Sequence, residues 1–515
     1  MNNLYQDLLT AKTDKKTAIT FMCNKMTKKD FVQNIDNMAG FLSSIGVKKG
    51  SKVGIVSPNV PTAVIAFYAI NKIGAVSNIF HPLIATNDLI KKLKQTDTNV
   101  VFVYDLFYKK YKKALKNNGI KVIICSSKDY LDSFTRWIFS LYLNIVRGKI
   151  TSEYDEKDFR KNYPSTTIYN EDACLLHSSG TDKEKTVILT NENFIELKNK
   201  MIDVVGKENL GQETALVSLP IFHCFGLAVG VHSCLSLGFD IVLMPTFNTK
   251  SMVRLVKKYG VTVLIVIPSM VRKFIKNGFA KNFKSVKHIY CGGDNLPTKL
   301  REQFDKELSK YNTIKLLEGY GLTELTGVCV VNTEKNYKEG SIGKPISGIQ
   351  AVVLDEENKV QGFDKEGELA LSSSTIMKSY YDGTTNTVEI NGKTYFKTGD
   401  IVKMDSDGYL YYLARKKNII KISGINVFPN DIEELVLTIP EVKEAVCIEK
   451  KIEGKPYIYL YAVVSEKSEE LKGKIKDIVK NNMLKYCRLK EVVFVDSLKL
   501  TKNGKIDKKY LQNLE

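Results

Sequence analysis

Residues Arg415 to Glu433 read RKKNIIKISGINVFPNDIE, and the texture of the chain changes across them. Before this stretch, from Gly340 onward, alternating runs such as GELALSSS and TYFKTGDIVKMDSDGYLYYLA are broken by Asp and Gly. Alternation of that kind predicts a small antiparallel unit. After it, DIEELVLTI, EAVCIEK, YIYLYAVVS, ELKGKIKDIVKNNM and EVVFVDS form a compact mixture of helix and strand patterns. The division expected is a domain over residues 1–414, a linker over 415–417 and a small α+β domain over 418–515.

Further upstream, SKVGIVSPN, VVFVYD, KVIICSS, ALVSLP, DIVLMP and TVLIVIPSM are short β-branched apolar runs closed by Pro, Asn, Ser or Asp. They read as buried strands, and the stretches between them, such as PTAVIAFYAINKIGA and KSMVRLVKKYG, carry helical spacing. Strands alternating with helices imply parallel sheets covered on both faces. The fold class expected is therefore α/β, with a large N-terminal domain of doubly wound sheets, a small β unit, and the α+β domain last.

A chain of 515 residues with 43% hydrophobic and 26% charged residues is long enough for one large core and a second, smaller one. The first residues, MNNLYQDLLTAKTDKK, contain no apolar run of signal-peptide type, and no segment reaches the roughly 20 apolar residues of a membrane span. A cytosolic location is expected. The nine cysteines are scattered without a CxxC pair, which points to buried thiols and away from disulfides or zinc. The formal charge of +19 comes from 76 Lys plus Arg against 57 Asp plus Glu. No zinc-finger spacing, RNP-like aromatic motif or compact Arg cluster accompanies it, so nucleic acid is not the expected partner. Polyanionic small ligands fit a dispersed basic surface better.

Six short segments carry the chemistry. Leu175 to Thr190, LLHSSGTDKEKTVILT, offers hydroxyls and accessible amides at Ser178, Ser179, Gly180 and Thr181, and positive charge at Lys185, the composition of a phosphate-binding loop. Ser218 to Gly238, SLPIFHCFGLAVGVHSCLSLG, sets His223 in an apolar run. Cys291 to Pro297, CGGDNLP, and Glu318 to Glu324, EGYGLTE, follow strand-like runs, where doubly wound sheets place ligand loops. The fifth is the turn Thr398-Gly399-Asp400, followed by Arg415. The last is NGK at Asn503 to Lys505.

In this order and separation, over nearly the whole chain, these segments resemble the adenylate-forming superfamily, specifically its acyl-CoA synthetase and 4-coumarate-CoA ligase-like branch. The phosphate loop departs from the family's usual SSGTTGxPKG: it is one residue shorter, carries Asp182 and Glu184, and has Thr186 where a glycine follows the lysine. The resemblance implies roles residue by residue. Ser178, Ser179, Gly180, Thr181 and Lys185 would bind the phosphates of ATP, with Thr181 and Lys185 acting catalytically. Gly292, Gly293 and Asp294 would line the adenine side and Tyr320 pack on the base. Thr323 would bind a phosphate and Glu324 a magnesium ion (Mg2+). Asp400 would accept the ribose hydroxyls, with Arg415 offering its planar fork nearby. His223, Phe225, Val229, Gly293 and Gly319 would border the acyl pocket, with His223 also counted among the catalytic residues, and Lys421 and Gly424 the path of CoA. Lys417 would be the hinge of a mobile C-terminal domain, and Lys505 the catalytic lysine that reaches the substrate carboxylate.

Peptide-synthetase relatives generally carry an aspartate near the His223 segment to grip an α-amine, and none is present here. A carboxylate without that amine, a fatty or arylpropenoic acid, is the expected substrate. The expected activity is an ATP-dependent carboxylic acid-CoA ligase. Alternatives are loading of an acyl group onto a carrier protein, or a noncatalytic nucleotide-binding scaffold. Separately, Leu131, Phe134, Ile138, Leu141 and Ile145 repeat at helical spacing beside Trp137, the sole tryptophan, with Arg136, Arg147 and Lys149 flanking. This pattern suits an interfacial helix on an anionic inner membrane face. It equally suits a core helix or a subunit contact.

Overall fold

In the computed structural model, the structure describes residues 2–13, 16–131, 136–141, 154, 156–159, 161, 163–178, 185–422, 425–500 and 506–514. Two large sheets dominate. The nine-stranded sheet has a parallel centre running Leu316–Tyr320, His288–Cys291, Val263–Val266, Thr214–Val217, Asp240–Leu243 and Thr17–Phe21, with antiparallel strands at both edges. The seven-stranded sheet is parallel through Asp172–His177, Val76–Phe80, Lys52–Val56, Thr98–Tyr104 and Lys121–Cys125. On its other side Thr186–Thr190 returns antiparallel from the phosphate loop, and the two-residue strand Ser379–Tyr380 adds to its edge.

These strands are the β-branched runs seen in the sequence, and their continuous apolarity follows from burial on both faces. Helices cover them. Pro61–Lys72 is buried at every position, as expected for a helix pressed between layers. Asn191–Val205 starts on a capping box in which Thr190 and Asn193 satisfy each other's backbone amides. One hydrophobic core runs through both sheets.

The small β unit is a five-stranded antiparallel sheet built from Gln350–Leu354, Glu366–Ser372, Lys393–Met404, Thr387–Ile390 and Leu410–Arg415. Its last strand includes Arg415, which the sequence had placed in the linker. A 3-10 turn at Lys416–Asn418 follows. From Ile420 the chain builds a separate core around a three-stranded sheet, Val442–Ile452, Lys455–Val464 and Leu489–Phe494, and the helices Pro429–Leu437 and Glu469–Asn482.

The amino terminus is woven into the large domain. Helix Leu4–Leu9 is capped by Asn3 and buries Asp7. The Asp7 carboxylate lies 2.9 Å from Lys198 Nζ and 3.4 Å from His232 Nε2, and the opposite ring nitrogen of His232 meets the Tyr68 hydroxyl at 3.1 Å. Burial opposes the charge of Asp7, but hydrogen bonding and charge from His232, together with Lys198, hold its carboxyl below the usual carboxylate range.

All nine cysteines are free thiols, eight of them buried and Cys23 exposed. Among the described residues, no helix is long and apolar enough to cross a membrane. The helix expected from Leu131 onward differs from its sequence reading. Leu131 caps the 3-10 turn Lys128–Tyr130 and is buried in the main core, and residues 136–141 are helical. On that helix Trp137, Ile138 and Leu141 are exposed. Phe134, Ile145, Arg147 and Lys149 lie outside the described residues.

Candidate active site

The site gathers where strand ends of the two large sheets meet the small β unit. The TGD segment is not a turn. It lies inside the twelve-residue strand Lys393–Met404 as a bulge, where pairing with the neighbouring strand shifts between Glu368 and Ala370. Gly399 takes φ +72, a left-handed conformation that suits glycine and re-aims the chain. As a result Asp400 stands directly opposite Arg415 on the adjacent strand. The two form an ion pair at 3.0 Å, and Arg415 also donates to the Thr398 carbonyl at 2.7 Å. Tyr320, arriving from the end of the strand Leu316–Tyr320, donates its hydroxyl to the same Asp400 oxygen at 2.5 Å. Burial, then the charge of Asp400, pushes the Tyr320 phenol well above its ordinary range, so it remains a donor. Burial works against the charge of Arg415, but Asp400 foremost, then Tyr320, Tyr412 and Glu324, keep it firmly cationic.

Two expected ribose and phosphate contacts, Asp400 and Arg415, are thus paired with each other, and Tyr320 is tied to them. Sequence alone did not show this pairing, because it depends on strand register. Glu368, also missed, holds the bulge from behind: one oxygen accepts from the Gly399 amide at 3.2 Å and the other from Lys416 at 2.8 Å.

Gly319 and Tyr320 begin a hairpin with Val330–Val331, and Gly321 lies so close to the return strand that a Cβ would come within 1.5 Å of the Gly327 carbonyl oxygen. The hairpin presents Thr323 and Glu324 on a 3-10 turn. Glu324 accepts a hydrogen bond from the Tyr380 hydroxyl at 3.0 Å. Among the described residues no group of three or more His, Cys, Asp or Glu could hold a metal ion. A single carboxylate fits magnesium only if phosphate oxygens and water complete the shell, which is how that ion is commonly bound.

The loop expected to bind phosphate joins Asp172–His177 to Thr186–Thr190. Its base is closed by Ser178 and Lys185: the Ser178 amide donates to the Lys185 carbonyl at 2.8 Å, and the Lys185 amide to Ser178 Oγ at 3.3 Å. Ser179, Gly180 and Thr181 lie outside the described residues, as do Gly424 and Lys505. His177, missed in the sequence, stacks on Phe80 and bridges Asn78 Oδ1 and Thr186 Oγ1, each at 3.0 Å. Because Asn78 Nδ2 already donates to Thr96 and Thr98, its oxygen must accept; His177 Nε2 therefore carries the proton and Nδ1 accepts from Thr186. Burial, with Lys92 adding a little, pulls the imidazole down to about 3, so it is neutral in ordinary buffers.

The expected acyl pocket residues come from three elements. Phe225 and Val229 sit on a π-helix, Phe225–Ser233, an unusual winding that the sequence did not announce. It begins where the chain folds back on itself, since a Cβ on Gly226 would lie 2.2 Å from the Pro220 carbonyl oxygen. His223 precedes it, its ring tilted against Phe222 at 5.0 Å. Gly292 and Gly319 close the gap between neighbouring strands: a Cβ on Gly292 would meet the Gly319 carbonyl oxygen at 2.7 Å and the Phe225 ring at 3.4 Å. Gly293 takes φ +84 and, with Asp294, is exposed at the mouth. Lys421 is remote in character, an exposed side chain 3.8 Å from exposed Glu356.

The carboxylate, arginine and tyrosine cluster beside the base of the Ser178–Lys185 loop forms the candidate active site. The chain belongs to the AMP-binding enzyme family, whose model matches residues 9–381, with the AMP-binding enzyme C-terminal domain matching residues 431–505. Among curated relatives it is 28% identical over 493 residues to the peroxisomal OPC-8:0-CoA ligase 1 of Arabidopsis thaliana, covering 93% of this chain and 86% of that protein. It is also 28% identical over 470 residues to a long-chain-fatty-acid–CoA ligase of Bacillus subtilis (strain 168), covering 86% and 82%. In fold it matches ATP-bound MatB from Rhodopseudomonas palustris with TM-score 0.86 at 21% identity, covering 99% of this chain and 98% of that one.

Proposed function

We propose that this protein is an AMP-forming carboxylic acid-CoA ligase for a fatty or arylpropenoic acid. In the first half-reaction a carboxylate oxygen attacks the α-phosphorus of ATP, giving the acyl-adenylate and releasing pyrophosphate. In the second, the CoA thiolate attacks the acyl carbon and AMP leaves. The observation that carries the reading is the Asp400, Arg415 and Tyr320 cluster set beside Glu324 and the base of the phosphate loop. Asp400 would exchange part of its pairing with Arg415 for the ribose hydroxyls, freeing the guanidinium for phosphate. Ser178 through Thr181 and Lys185 would bind the phosphates with Thr323. Magnesium, held by Glu324 and phosphate oxygens, would supply charge neutralisation.

The apolar π-helix, the glycines at 292, 293 and 319, and relatives that are fatty-acid and coumarate CoA ligases support an apolar acid. Lys417 would be the hinge by which the C-terminal domain changes orientation, bringing Lys505 to the carboxylate first and Lys421 and Gly424 to the pantetheine arm afterwards. Free CoA is the proposed acceptor. Exposed Trp137, Ile138 and Leu141 support peripheral contact with a lipid surface, for which a blue shift of the single tryptophan on anionic vesicles is the direct measurement. The decisive assay is exchange of labelled pyrophosphate into ATP across a panel of acids, followed by thioester formation with CoA or a carrier protein. Absence of acid-dependent exchange would overturn the reading.

A further inference from the structure

Tyr380 stands between the phosphate loop and Glu324. It ends the strand Ser379–Tyr380, which pairs with Thr186–Thr190, the strand leaving that loop, so that Tyr380 faces Val187. The same short segment is fastened on two sides. The Tyr381 and Lys378 amides donate to the Thr186 and Ile188 carbonyls at 2.8 and 3.1 Å, and the Met377 amide donates to the Glu324 carbonyl at 2.8 Å. One edge strand therefore holds the loop's exit and the GYGLTE hairpin in fixed relation.

The side chain repeats that arrangement. Tyr380 is buried, with Lys185 Nζ 3.9 Å from its ring centroid and its hydroxyl donating to Glu324 Oε1 at 3.0 Å. An aromatic face attracts an ammonium without neutralising it. A carboxylate in the same place would cancel the charge that ATP needs. Likewise, a hydroxyl that occupies one oxygen of Glu324 fixes the plane of the carboxylate and leaves its other oxygen for a cation.

We propose that Tyr380 is a positioning residue for the nucleotide: its ring parks Lys185 facing the phosphates, and its hydroxyl orients Glu324 toward the metal. This rests on the adenylation reading above. Ring and hydroxyl act on different partners, so their effects separate.

The test uses the full chain and calorimetric titration with ATP, with and without magnesium, beside pyrophosphate exchange. Y380F keeps the ring, so metal-free ATP affinity should match wild type, while the magnesium concentration for half-maximal exchange and for the metal-dependent gain in ATP affinity rises about fivefold. Y380L loses both functions and should also weaken metal-free ATP binding about threefold. In a K185M background, Y380L should weaken metal-free binding no further, because the ring acts through that lysine. Wild-type values in both variants, equal metal-free losses in Y380F and Y380L, or additivity with K185M would each overturn the proposal. If Y380L does not fold, the magnesium response of Y380F decides alone. If wild type binds ATP but exchanges pyrophosphate with no acid, the ligase reading fails, while the binding arms still judge Tyr380.

Discussion

The carboxylate of Glu434, on the first helix of the C-terminal unit, receives the backbone amide of Thr298 at 3.1 and 3.3 Å. Thr298 opens the helix Thr298–Leu308, directly after the CGGDNLP loop. In return, Lys299 donates to the carbonyls of Leu437 and Ile439 at the far end of the helix Pro429–Leu437. A carboxylate at one helix start and an ammonium at another helix end both complement the helix dipoles. This reciprocal pairing holds the two units together next to the CGGDNLP loop.

Removing it should free the C-terminal unit. Glu434→Ala is expected to speed trypsin cleavage at Lys416 or Lys417 about tenfold, since a charge-assisted hydrogen bond contributes ~1.5 kcal/mol and cleavage follows the open population. Unchanged cleavage kinetics would show that the contact does not restrain the linker.

A second carboxyl near the same junction gives a pH signature. Burial pushes Glu318 up to about 8, with Arg301 pulling it down and Glu434 pushing it further up. A raised acid stabilises the fold in its protonated form; that contribution is complete below about 4.5 and is lost as pH rises toward 8. Glu318→Gln should therefore flatten the decline of melting temperature across that interval. Parallel melting curves for the two proteins would refute it.

His177 predicts the opposite sign. Its imidazole, ordinarily near 6.5, is held at about 3, so its contribution is present above 6.5 and lost as pH falls toward 3. Its contact with Thr186 also ties both ends of the phosphate loop. Thr186→Val should raise KM for ATP by about threefold to tenfold with little change in melting temperature, the scale of one neutral hydrogen bond. A variant with unaltered KM would remove His177 from loop positioning.

Lys505 should divide the two half-reactions. Lys505→Ala is expected to lower acyl-adenylate formation by about a hundredfold or more, because a cation at a developing charge is worth that much, and to spare thioester formation from supplied acyl-adenylate. Gly424→Leu should do the reverse. Stopped-flow measurement of each half-reaction decides, and equal losses in both would reject the assignments.

Much of this was legible in the residues. Apolar β-branched runs announced the parallel strands because burial on both faces leaves no other composition. Glycine motifs marked Gly292 and Gly319; close strand approach excludes a Cβ at Gly292, whereas at Gly319 a Cβ would make only ordinary contact, 3.5 Å from Val331 Cγ2. What the sequence hid depends on register. The bulge at Gly399 turns an apparent turn into a strand and sets Asp400 against Arg415. Tyr380 and Tyr381 are adjacent and identical in type, yet only Tyr380 is buried toward Glu324. The π-helix likewise follows from a chain reversal at Gly226 and leaves no periodic trace.

The buried contact between Asp7 and His232 reaches from the opening helix into the π-helix that also carries Phe225 and Val229. Helix Leu4–Leu9 is therefore part of the packing of the large domain. A chain shortened to begin at Met22 would lack Asp7, and with it the carboxylate that meets Lys198 and His232 inside the large domain. It would also lose the strand Thr17–Phe21 from its place between two neighbours. Such a truncation would thus be felt at the π-helix Phe225–Ser233, far along the chain from the missing residues.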